Sequence, residues 1–190
     1  MAIHNTSADA ANTAVRAFLT AVGEQYWGKI FNTGTGSGKA TWKNIRDEVF
    51  GGKCCYCNKH SEKLQMEHLV MFNREEYGLH HPGNIVPCCN DCNKRKTDRS
   101  GRHLTWEGHL KAICTESGDE GDYTRRLDLI IKHHTKGKFA YPQLSENEKH
   151  AIRVMAESLY HGIKTEIEKS LELYLKLTDA FVTKNVNGTS

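Results

Sequence analysis

Two Cys-x-x-Cys pairs, Cys54 with Cys57 and Cys89 with Cys92, constrain the fold of this chain more than any other feature. Each pair can turn two thiolates toward one ion, and four thiolates complete the closed tetrahedral shell of structural zinc. We therefore predict one Zn²⁺ held by the four sulfurs. Because such a shell leaves no open position for a water molecule, metal-assisted catalysis would require a second ion elsewhere.

The 31 residues between the two pairs exceed the spacing of simple zinc ribbons, which predicts a folded insert, a hairpin leading into a helix. Three further cysteines, Cys55, Cys88 and Cys114, are expected to pack as small apolar side chains. An alternative is that Cys55 or Cys88 replaces a neighbour as a zinc ligand.

The insert also carries polar residues of chemical interest, Glu67, His68 and Asn84, with Asn93 just beyond it. Glu67 and His68 lie in an apolar stretch, residues 64–72, that is typical of a strand. An imidazole titrates near neutral pH and can take a proton from water. Each residue alone has a plainer interpretation: a solvated strand carboxylate, a structural histidine, and a turn or capping asparagine.

Taken together, these segments resemble the HNH (ββα-metal) nuclease motif in its zinc-binding form, over about residues 50–100. The segments are Cys54-Cys55-Tyr56-Cys57, Glu67-His68-Leu69-Val70, His81-Pro82-Gly83-Asn84-Ile85-Val86-Pro87 and Cys89-Asn90-Asp91-Cys92-Asn93-Lys94-Arg95-Lys96. The resemblance implies an α+β fold, in which a ββα-metal nuclease core with structural zinc is embedded in mainly helical N- and C-terminal additions.

The resemblance also assigns roles. His68 would be the general base that activates water, and Asn84 would fix the loop and orient that base. Glu67 and Asn93, the latter on the helix, would bind one catalytic divalent ion, Mg²⁺ or Mn²⁺. Many relatives carry Asp where this chain has Glu67. The implied activity is divalent-metal-dependent hydrolysis of DNA phosphodiesters, with prokaryotic restriction or defence as the expected setting.

Two alternatives stay open: a phage or mobile-element nicking nuclease, and a non-catalytic zinc-stabilised DNA-binding module. A basic run beside the motif favours DNA as the partner in each case. A helix after the second cysteine pair is expected to present these cations to phosphates, although such a run can also be a solvated face. The cations are Lys94, Arg95, Lys96, Arg99 and Arg102, set against Asp98.

The composition is consistent with a DNA-handling protein without requiring one. Lys and Arg number 26 against 23 Asp and Glu, so that the net charge is +3. Cysteines at metal-binding spacing argue against a secreted disulfide framework. No apolar segment is long enough to cross a membrane, and no signal peptide is recognised. We expect a cytoplasmic protein with no membrane partner.

We divide the chain into three segments: an N-terminal helical segment with a flexible loop (residues 1–50), the zinc-stabilised nuclease core (51–102) and a helical C-terminal region (103–190). Helices are predicted over residues 8–27, 41–50, 105–115 and 123–134. The glycine-rich residues 32–41 are predicted to be a flexible loop, because Ala40 stands where a phosphate-binding loop needs Ser or Thr. His133 and His134 are expected to be solvated.

An apolar stripe at helical spacing runs through residues 152–181 and predicts a long helix after a capping box at Ser145 and Glu148. Gly162 is a candidate point for a kink or an end. Two interpretations remain open: the helix packs within the chain as two segments, or it forms the interface of a homodimer.

Overall fold

The computed structural model describes residues 6–186, with side chains through residue 181. The outer ends of the first and third predicted segments, residues 1–5 and 187–190, lie outside this range. Helices surround one small sheet, which places the chain in the α+β class. The elements are α1 (Ser7–Trp27), α2 (Gly36–Asn44), β1 (Gln65–His68), β2 (Ile85–Cys88), α3 (Trp106–Ser117), α4 (Tyr123–Thr135) and α5 (Glu146–Val186).

Strands β1 and β2 form an antiparallel pair in which Glu67 lies opposite Val86 and His68 opposite Ile85. The hairpin predicted between the cysteine pairs is therefore present. Strand β2 is apolar and buried along its whole length, whereas β1 is partly exposed. This difference leaves the polar side chains of β1 at the edge of the core, where they can reach solvent.

The helix predicted after the second cysteine pair is absent: residues 89–105, all of them described, form turns and an isolated bridge. Asp98 explains the irregular backbone, because its Oδ1 accepts from the backbone N–H groups of Ser100 and Arg102. Such side-chain bonds compete with helical ones. Gly101 completes the turn with φ of 82°. The ββα arrangement is therefore not confirmed, and the next helix is α3.

The glycine-rich segment is shorter as a loop than predicted, because α2 already begins at Gly36. Close packing explains one of its glycines: a Cβ on Gly38 would collide with the Asn32 backbone. The helix continues as a π-turn, Ile45–Val49, and ends before Gly51 and Gly52, both with positive φ. The predicted helix end at these two glycines is confirmed.

Two apolar clusters hold the fold together. The larger one surrounds the cysteine pairs and joins β2 to α3 and α4, with Tyr56, Leu69, Val86, Leu110 and Ile130 among its buried members. The smaller one lies between α1, the loop after β1, and α5; it contains Val15, Leu19, Leu79, Ile152 and Ala156.

In α4, His133 is buried and His134 is half-buried. The prediction that both would be solvated is therefore wrong. The Nε2 of His133 donates to the Ile85 carbonyl at 3.0 Å, and Nδ1 of His134 donates to the Gly83 carbonyl at 2.8 Å. Both acceptors flank the start of β2. The two histidines therefore attach α4 to the sheet, which sequence periodicity could not show.

Helix α5 runs antiparallel to α1. Tyr26 donates to Glu148 at 2.7 Å near one end of α1, and Ser7 donates to Glu168 at 3.2 Å near the other. The predicted capping box is confirmed, since Ser145 N donates to Glu148 and Glu148 N to the Ser145 hydroxyl. Gly162 does not end the helix, which extends over 41 residues, or about 60 Å.

Because α1 begins beside Glu168, the remainder of α5 extends past it. This extension carries large apolar side chains that are exposed: Leu171, Leu173, Tyr174, Leu175, Leu177 and Phe181. Among the described residues, no helix is both long and apolar enough to cross a membrane.

Candidate functional site

The four cysteines of the two pairs meet in one cluster. Their Sγ atoms all lie within 4.8 Å of one another, and the sulfurs of Cys57 and Cys89 are 3.7 Å apart. Sulfurs at about 2.3 Å from one tetrahedral zinc ion lie about 3.8 Å from each other. The cluster therefore has the size that one zinc ion requires, and the four predicted ligands can hold such a metal together.

The same local turn presents the sulfurs in both pairs. Asn58 N donates to the Cys54 carbonyl at 2.9 Å, and Asn93 N donates to the Cys89 carbonyl at 3.0 Å. A bond from Cys55 N to the Pro87 carbonyl, 2.8 Å long, links the first turn to β2. The hairpin thus brings two pairs together that are far apart in sequence.

The electrostatics of the cluster favour a bound cation. Hydrogen bonding from Cys55 lowers the pKa of the Cys54 thiol, while burial raises the pKa of Cys57 to about 11. Hydrogen bonding with the sulfur of Cys54 raises the pKa of the Cys92 thiol well above its usual value. A divalent ion would offset the repulsion among neighbouring thiolates.

Other buried groups fix the cluster in place. His109 Nε2 donates to the Cys92 carbonyl at 2.9 Å, and its Nδ1 accepts from Lys96 N at 3.2 Å. This histidine of α3 therefore sets the position of the second pair. The remaining cysteines, Cys55, Cys88 and Cys114, are buried within the apolar core, as predicted.

A cleft of about 380 Å³ lies beside β1 and brings three predicted site residues together: Glu67, His68 and Asn93. Glu67 and His68 reach it from the end of β1, and Asn93 from the turn after Cys92. The cleft is also lined by Met71, Phe72, Asn73, Lys94, Arg95 and His103. Three segments that are separate in the sequence therefore meet at this cleft.

Glu67 forms an ion pair with Arg95, whose Nη2 donates to Oε1 at 2.7 Å. Desolvation raises the pKa of Glu67, and the charge of Arg95 only partly offsets this. Arg95 itself is 3% exposed and also donates to the carbonyls of His68 and Leu69. Arg95 is therefore a buried residue that supports the site, whereas the sequence predicted that it would contact DNA.

His68 is held on two sides. Its ring stacks on Phe72 at 4.7 Å with an interplanar angle of 10°, and its Nε2 lies 3.1 Å from Nδ1 of His80. Burial, together with the charges of His80 and Arg95, lowers the pKa of His68 to about 3. The imidazole is therefore neutral at pH 7.

Asn84 is fully buried beneath the loop that connects the strands. Its Oδ1 accepts from Val70 N at 2.8 Å, and its Nδ2 donates to the carbonyls of Val70 and Leu79, each at 2.9 Å. The side chain thus closes both ends of residues 70–79, which follow His68. This position agrees with a residue that fixes the loop and not with one that contacts a substrate.

The loop is also fastened to α5. Arg74 donates to both carboxylate oxygens of Glu157, and the Tyr77 hydroxyl donates to the same carboxylate at 2.6 Å. The guanidinium of Arg74 lies 3.5 Å from the ring centroid of Tyr160. Because Phe72 stacks on His68 from this loop, α5 contributes indirectly to the shape of the cleft.

The remaining basic residues do not share one face. Lys94 is exposed and lines the cleft. Lys96 forms an ion pair with Glu116 at 2.6 Å on the side of the cysteine cluster. Arg102 lies 3.5 Å from Asp98, and Arg99 is exposed in the same turn. Lys94 is therefore the cation of this set that the structure places next to His68.

The donor chemistry at the cleft also suits a hard divalent ion, which prefers oxygen ligands. Glu67 offers a carboxylate whose Oε1 is shared with Arg95, and Asn93 offers an amide oxygen, since its Nδ2 donates to Gln65 at 2.6 Å. Two protein oxygens are few, but Mg²⁺ usually keeps several waters and binds through one or two side chains plus phosphate.

Sequence reasoning did not identify His80, His103 or Phe72 as part of the site. His80 and Phe72 contact His68 through the loop, and His103 reaches the cleft across the Thr97–His103 bridge. These contacts depend on loop geometry that carries no periodic signal. A second histidine twelve positions after His68 was visible in the sequence, but the spacing alone does not predict contact.

Comparison of the chain with protein-family models, with curated proteins and with solved structures found no match in any of the three. The resemblance to HNH nucleases therefore rests on the motif residues of the sequence.

Proposed function

We propose that this chain is a divalent-metal-dependent DNA endonuclease of the HNH (ββα-metal) type, of the kind used in prokaryotic restriction or defence. The observation that carries the proposal is the cleft that unites Glu67, His68 and Asn93 beside a four-cysteine metal cluster. The cluster would supply rigidity and the cleft would supply the chemistry, since a four-thiolate site has no open position.

In the proposed reaction, a water oxygen attacks phosphorus while His68 accepts the water proton. The new O–P bond forms as the bond from phosphorus to the 3′ oxygen breaks, which leaves a 5′-phosphate and, after protonation, a 3′-hydroxyl. His68 is assigned this role because it lines the cleft together with Glu67 and Asn93. A positioned general base contributes about 10²- to 10⁴-fold to the rate.

Other side chains would bind and orient the substrate. Lys94, exposed in the cleft, would neutralise a phosphate next to the one that reacts. Glu67 and Asn93 would hold a divalent ion, which when bound stabilises charge on the scissile phosphate and on the leaving oxygen. Phe72 would keep the imidazole plane fixed through its stacking contact.

A plasmid assay with Mg²⁺ or Mn²⁺ tests the proposal. The wild-type protein should cleave supercoiled DNA, and His68→Ala should lose about 10²-fold or more of that rate while it still binds DNA. His150→Ala, an exposed histidine on α5, is the matched control and should cleave normally. Cleavage by His68→Ala at the wild-type rate would disprove the assignment of the base.

Binding without cleavage by the wild-type protein, in either ion, would instead favour the non-catalytic DNA-binding module. The Glu67–Arg95 ion pair is the feature that would explain this outcome, because it engages one oxygen of the proposed metal ligand. The assay therefore separates the two functions with one set of proteins.

We also propose a homodimer through the extension of α5. Ile167, Leu171, Tyr174, Thr178 and Phe181 recur at intervals of four and three residues, the spacing of a coiled-coil seam. The charges beside them pair within the helix, as in Lys164 with Glu168 and Lys176 with Glu172. A mixed-charge apolar stripe of this kind fits a second copy of itself better than DNA.

A further inference from the structure

The loop after β1, residues 70–79, contributes to the walls of two separate cavities. Phe72 lines the proposed nuclease cleft, whereas Val70, Glu76 and Tyr77 line a second cavity beside α5, which we call the α5 cavity. The α5 cavity has a volume of about 430 Å³ and shares no lining residue with the cleft. Pockets of about 300–1,000 Å³ commonly hold small molecules. The α5 cavity is therefore large enough for a ligand of its own.

The lining of the α5 cavity is predominantly apolar and rich in aromatic rings. Its remaining walls come from the end of α4, the segment before α5, and α5 itself. Ile152 is a buried member of the smaller apolar cluster, and Tyr77, Tyr141 and Leu144 pack against that cluster. Aromatic side chains bind other rings in stacked or edge-to-face arrangements. The cavity therefore suits a ligand with a ring-sized apolar body.

Hydrogen bonds hold the aromatic walls in place. The Tyr77 hydroxyl donates to Glu157 at 2.6 Å, and the Tyr141 hydroxyl accepts from the backbone N–H of Leu79 at 3.0 Å. The ring of Tyr141 also stacks on His134, with 5.0 Å between centroids and an interplanar angle of 19°. A pocket whose walls are already fixed costs little to order when a ligand binds.

Arg153 of α5 supplies a cation that lines the cavity and has no anionic partner. Among the described residues, its exposed guanidinium forms neither a salt bridge nor a hydrogen bond, and it lies 5.7 Å from the ring centroid of Tyr77. Lys149, one turn earlier on α5, is already paired with Glu146 at 2.7 Å. The five N–H donors of Arg153 are therefore available to a ligand, and they match the two oxygens of a carboxylate.

Glu76 limits how much negative charge the ligand can carry. This residue also lines the cavity, and its carboxylate is held by the loop: Oε2 accepts from Met71 N at 2.7 Å, and Oε1 lies 3.8 Å from Nη1 of Arg95. Like charges that face each other across an interface are unfavourable. One unpaired arginine in a cavity that also contains a carboxylate therefore suits a ligand with one negative charge better than a ligand with two.

We propose that the α5 cavity is a binding site for a small aromatic monocarboxylate. The ring system would lie against Tyr77, Leu144 and Ile152, and the carboxylate would accept two hydrogen bonds from Arg153. The site is separate from the cleft and does not depend on the proposed nuclease activity.

Methyl NMR of the zinc-loaded, full-length protein during titration with 2-naphthoate tests the site. We expect saturable shifts at Val70, Leu144 and Ile152, with a Kd below about 1 mM. Leu171 and Leu177, which are exposed on the extension of α5, should not shift. 2-Naphthamide keeps the rings without the charge and should bind at least about 10-fold more weakly. 2-Naphthyl phosphate should also bind more weakly than 2-naphthoate.

The variant Arg153→Gln removes the charge at an exposed position, so the fold should persist. Its affinity for 2-naphthoate should fall by about 10-fold or more, while its affinity for 2-naphthamide stays unchanged. Arg16→Gln is the matched control, because Arg16 is an exposed arginine of α1 outside the cavity, and it should bind like the wild type.

Four results would overturn the proposal: no saturable shift, shifts confined to the extension of α5, equal affinity for the acid and the amide, or equal affinity of Arg153→Gln and the wild type for 2-naphthoate. Tighter binding of 2-naphthyl phosphate than of 2-naphthoate would overturn the assignment of a monocarboxylate.

Discussion

Glu67 and Arg95 form an ion pair at 2.7 Å in the lining of the cleft, and the same guanidinium donates to the carbonyls of His68 and Leu69. One arginine therefore holds the proposed metal ligand and the backbone of the proposed base. The carboxylate is 17% exposed and the guanidinium 3%, so both charges are largely removed from water. Removing one partner of such a buried pair strongly destabilises the fold, because the other charge is left buried and unpaired.

We predict that Arg95→Ala destabilises the protein by about 3–5 kcal/mol, because it leaves a buried carboxylate and two carbonyls unpaired. Arg102→Ala provides a matched control, since Arg102 comes from the same basic run but is 82% exposed. Its effect should stay within about 0.5 kcal/mol. Urea denaturation of the two zinc-loaded variants measures both values, and equal losses would contradict the buried role of Arg95.

The two arginines also show where sequence reasoning reached its limit. Spacing predicted the cysteine cluster and the neighbours Glu67 and His68, because a metal shell and a strand both impose short-range patterns. A basic run carries no such pattern. Whether a basic side chain of this run is buried or exposed depends on the irregular backbone around it. A turn at Asp98 stands there in place of the predicted helix.

Long-range contacts were equally invisible to local patterns. The stripe of α5 predicted a helix, but not that Gly162 would leave it unbroken, since a single exposed glycine costs only about 1 kcal/mol against many helical residues. The hydrogen bonds of His133, His134 and His109 to backbone carbonyls likewise depend on tertiary packing. Histidine is polar enough to be assigned to the surface until its acceptor is known.

Zinc and the proposed catalytic ion should be separable. We expect about one tightly held zinc per chain, retained after mild EDTA treatment that abolishes cleavage, because two oxygen ligands release an ion far more readily than four thiolates. Elemental analysis and the plasmid assay on the same sample test this. Loss of zinc in parallel with activity would reject the two-site arrangement.

The cysteine ligands offer a stability test that is independent of activity. Cys54→Ser and Cys92→Ser should unfold the core, because structural zinc contributes to the free energy of folding. Cys114→Ser is the matched control: this cysteine is buried but lies outside the cluster. It should lower the melting temperature modestly and keep the zinc. Zinc retained at full stoichiometry by Cys54→Ser would contradict the four-sulfur site.

Acid should weaken the fold through His133. Burial lowers the pKa of His133 to about 4, so the unfolded chain binds a proton below pH 6.5 while the folded chain does not. The contribution of His133 to the free energy of unfolding is therefore fully present above pH 6.5. It is lost as the pH falls toward 4, by on the order of 3 kcal/mol in total.

The variant His133→Gln keeps a donor for the Ile85 carbonyl and removes the titration. The difference in unfolding free energy between the wild type and this variant should shrink between pH 7 and pH 5. Taking a difference at each pH cancels the acid sensitivity of the zinc thiolates, which both proteins share. A difference that does not change with pH would show that His133 does not titrate as predicted.

Lys94 should supply affinity without sequence preference. Removing one phosphate contact lowers binding to all DNA sequences and reduces the slope of log K against log salt by about 1. Fluorescence anisotropy at several salt concentrations measures that slope for Lys94→Ala. Lys169→Ala removes an exposed lysine of α5 and should leave it unchanged. Equal slopes for the two variants would argue against DNA in the cleft.

The extension of α5 allows a closely matched test of the dimer. Leu171 and Leu173 are equally exposed, at 58% and 59%, but only Leu171 belongs to the four-and-three stripe. Two residues apart on a helix, they point about 200° away from each other. Leu171→Glu should therefore convert the dimer to a monomer in light scattering at micromolar concentration, whereas Leu173→Glu should not.

Activity should follow the oligomeric state, because one proposed nuclease centre would cut one strand and the proposed twofold dimer would offer a second centre to the antiparallel strand. The wild type should linearise supercoiled plasmid, and Leu171→Glu should stop at the open circle. A wild-type protein that is monomeric and only nicks would remove the dimer and favour the nicking-nuclease alternative. Identical behaviour of the two glutamate variants would show that the stripe is not the interface.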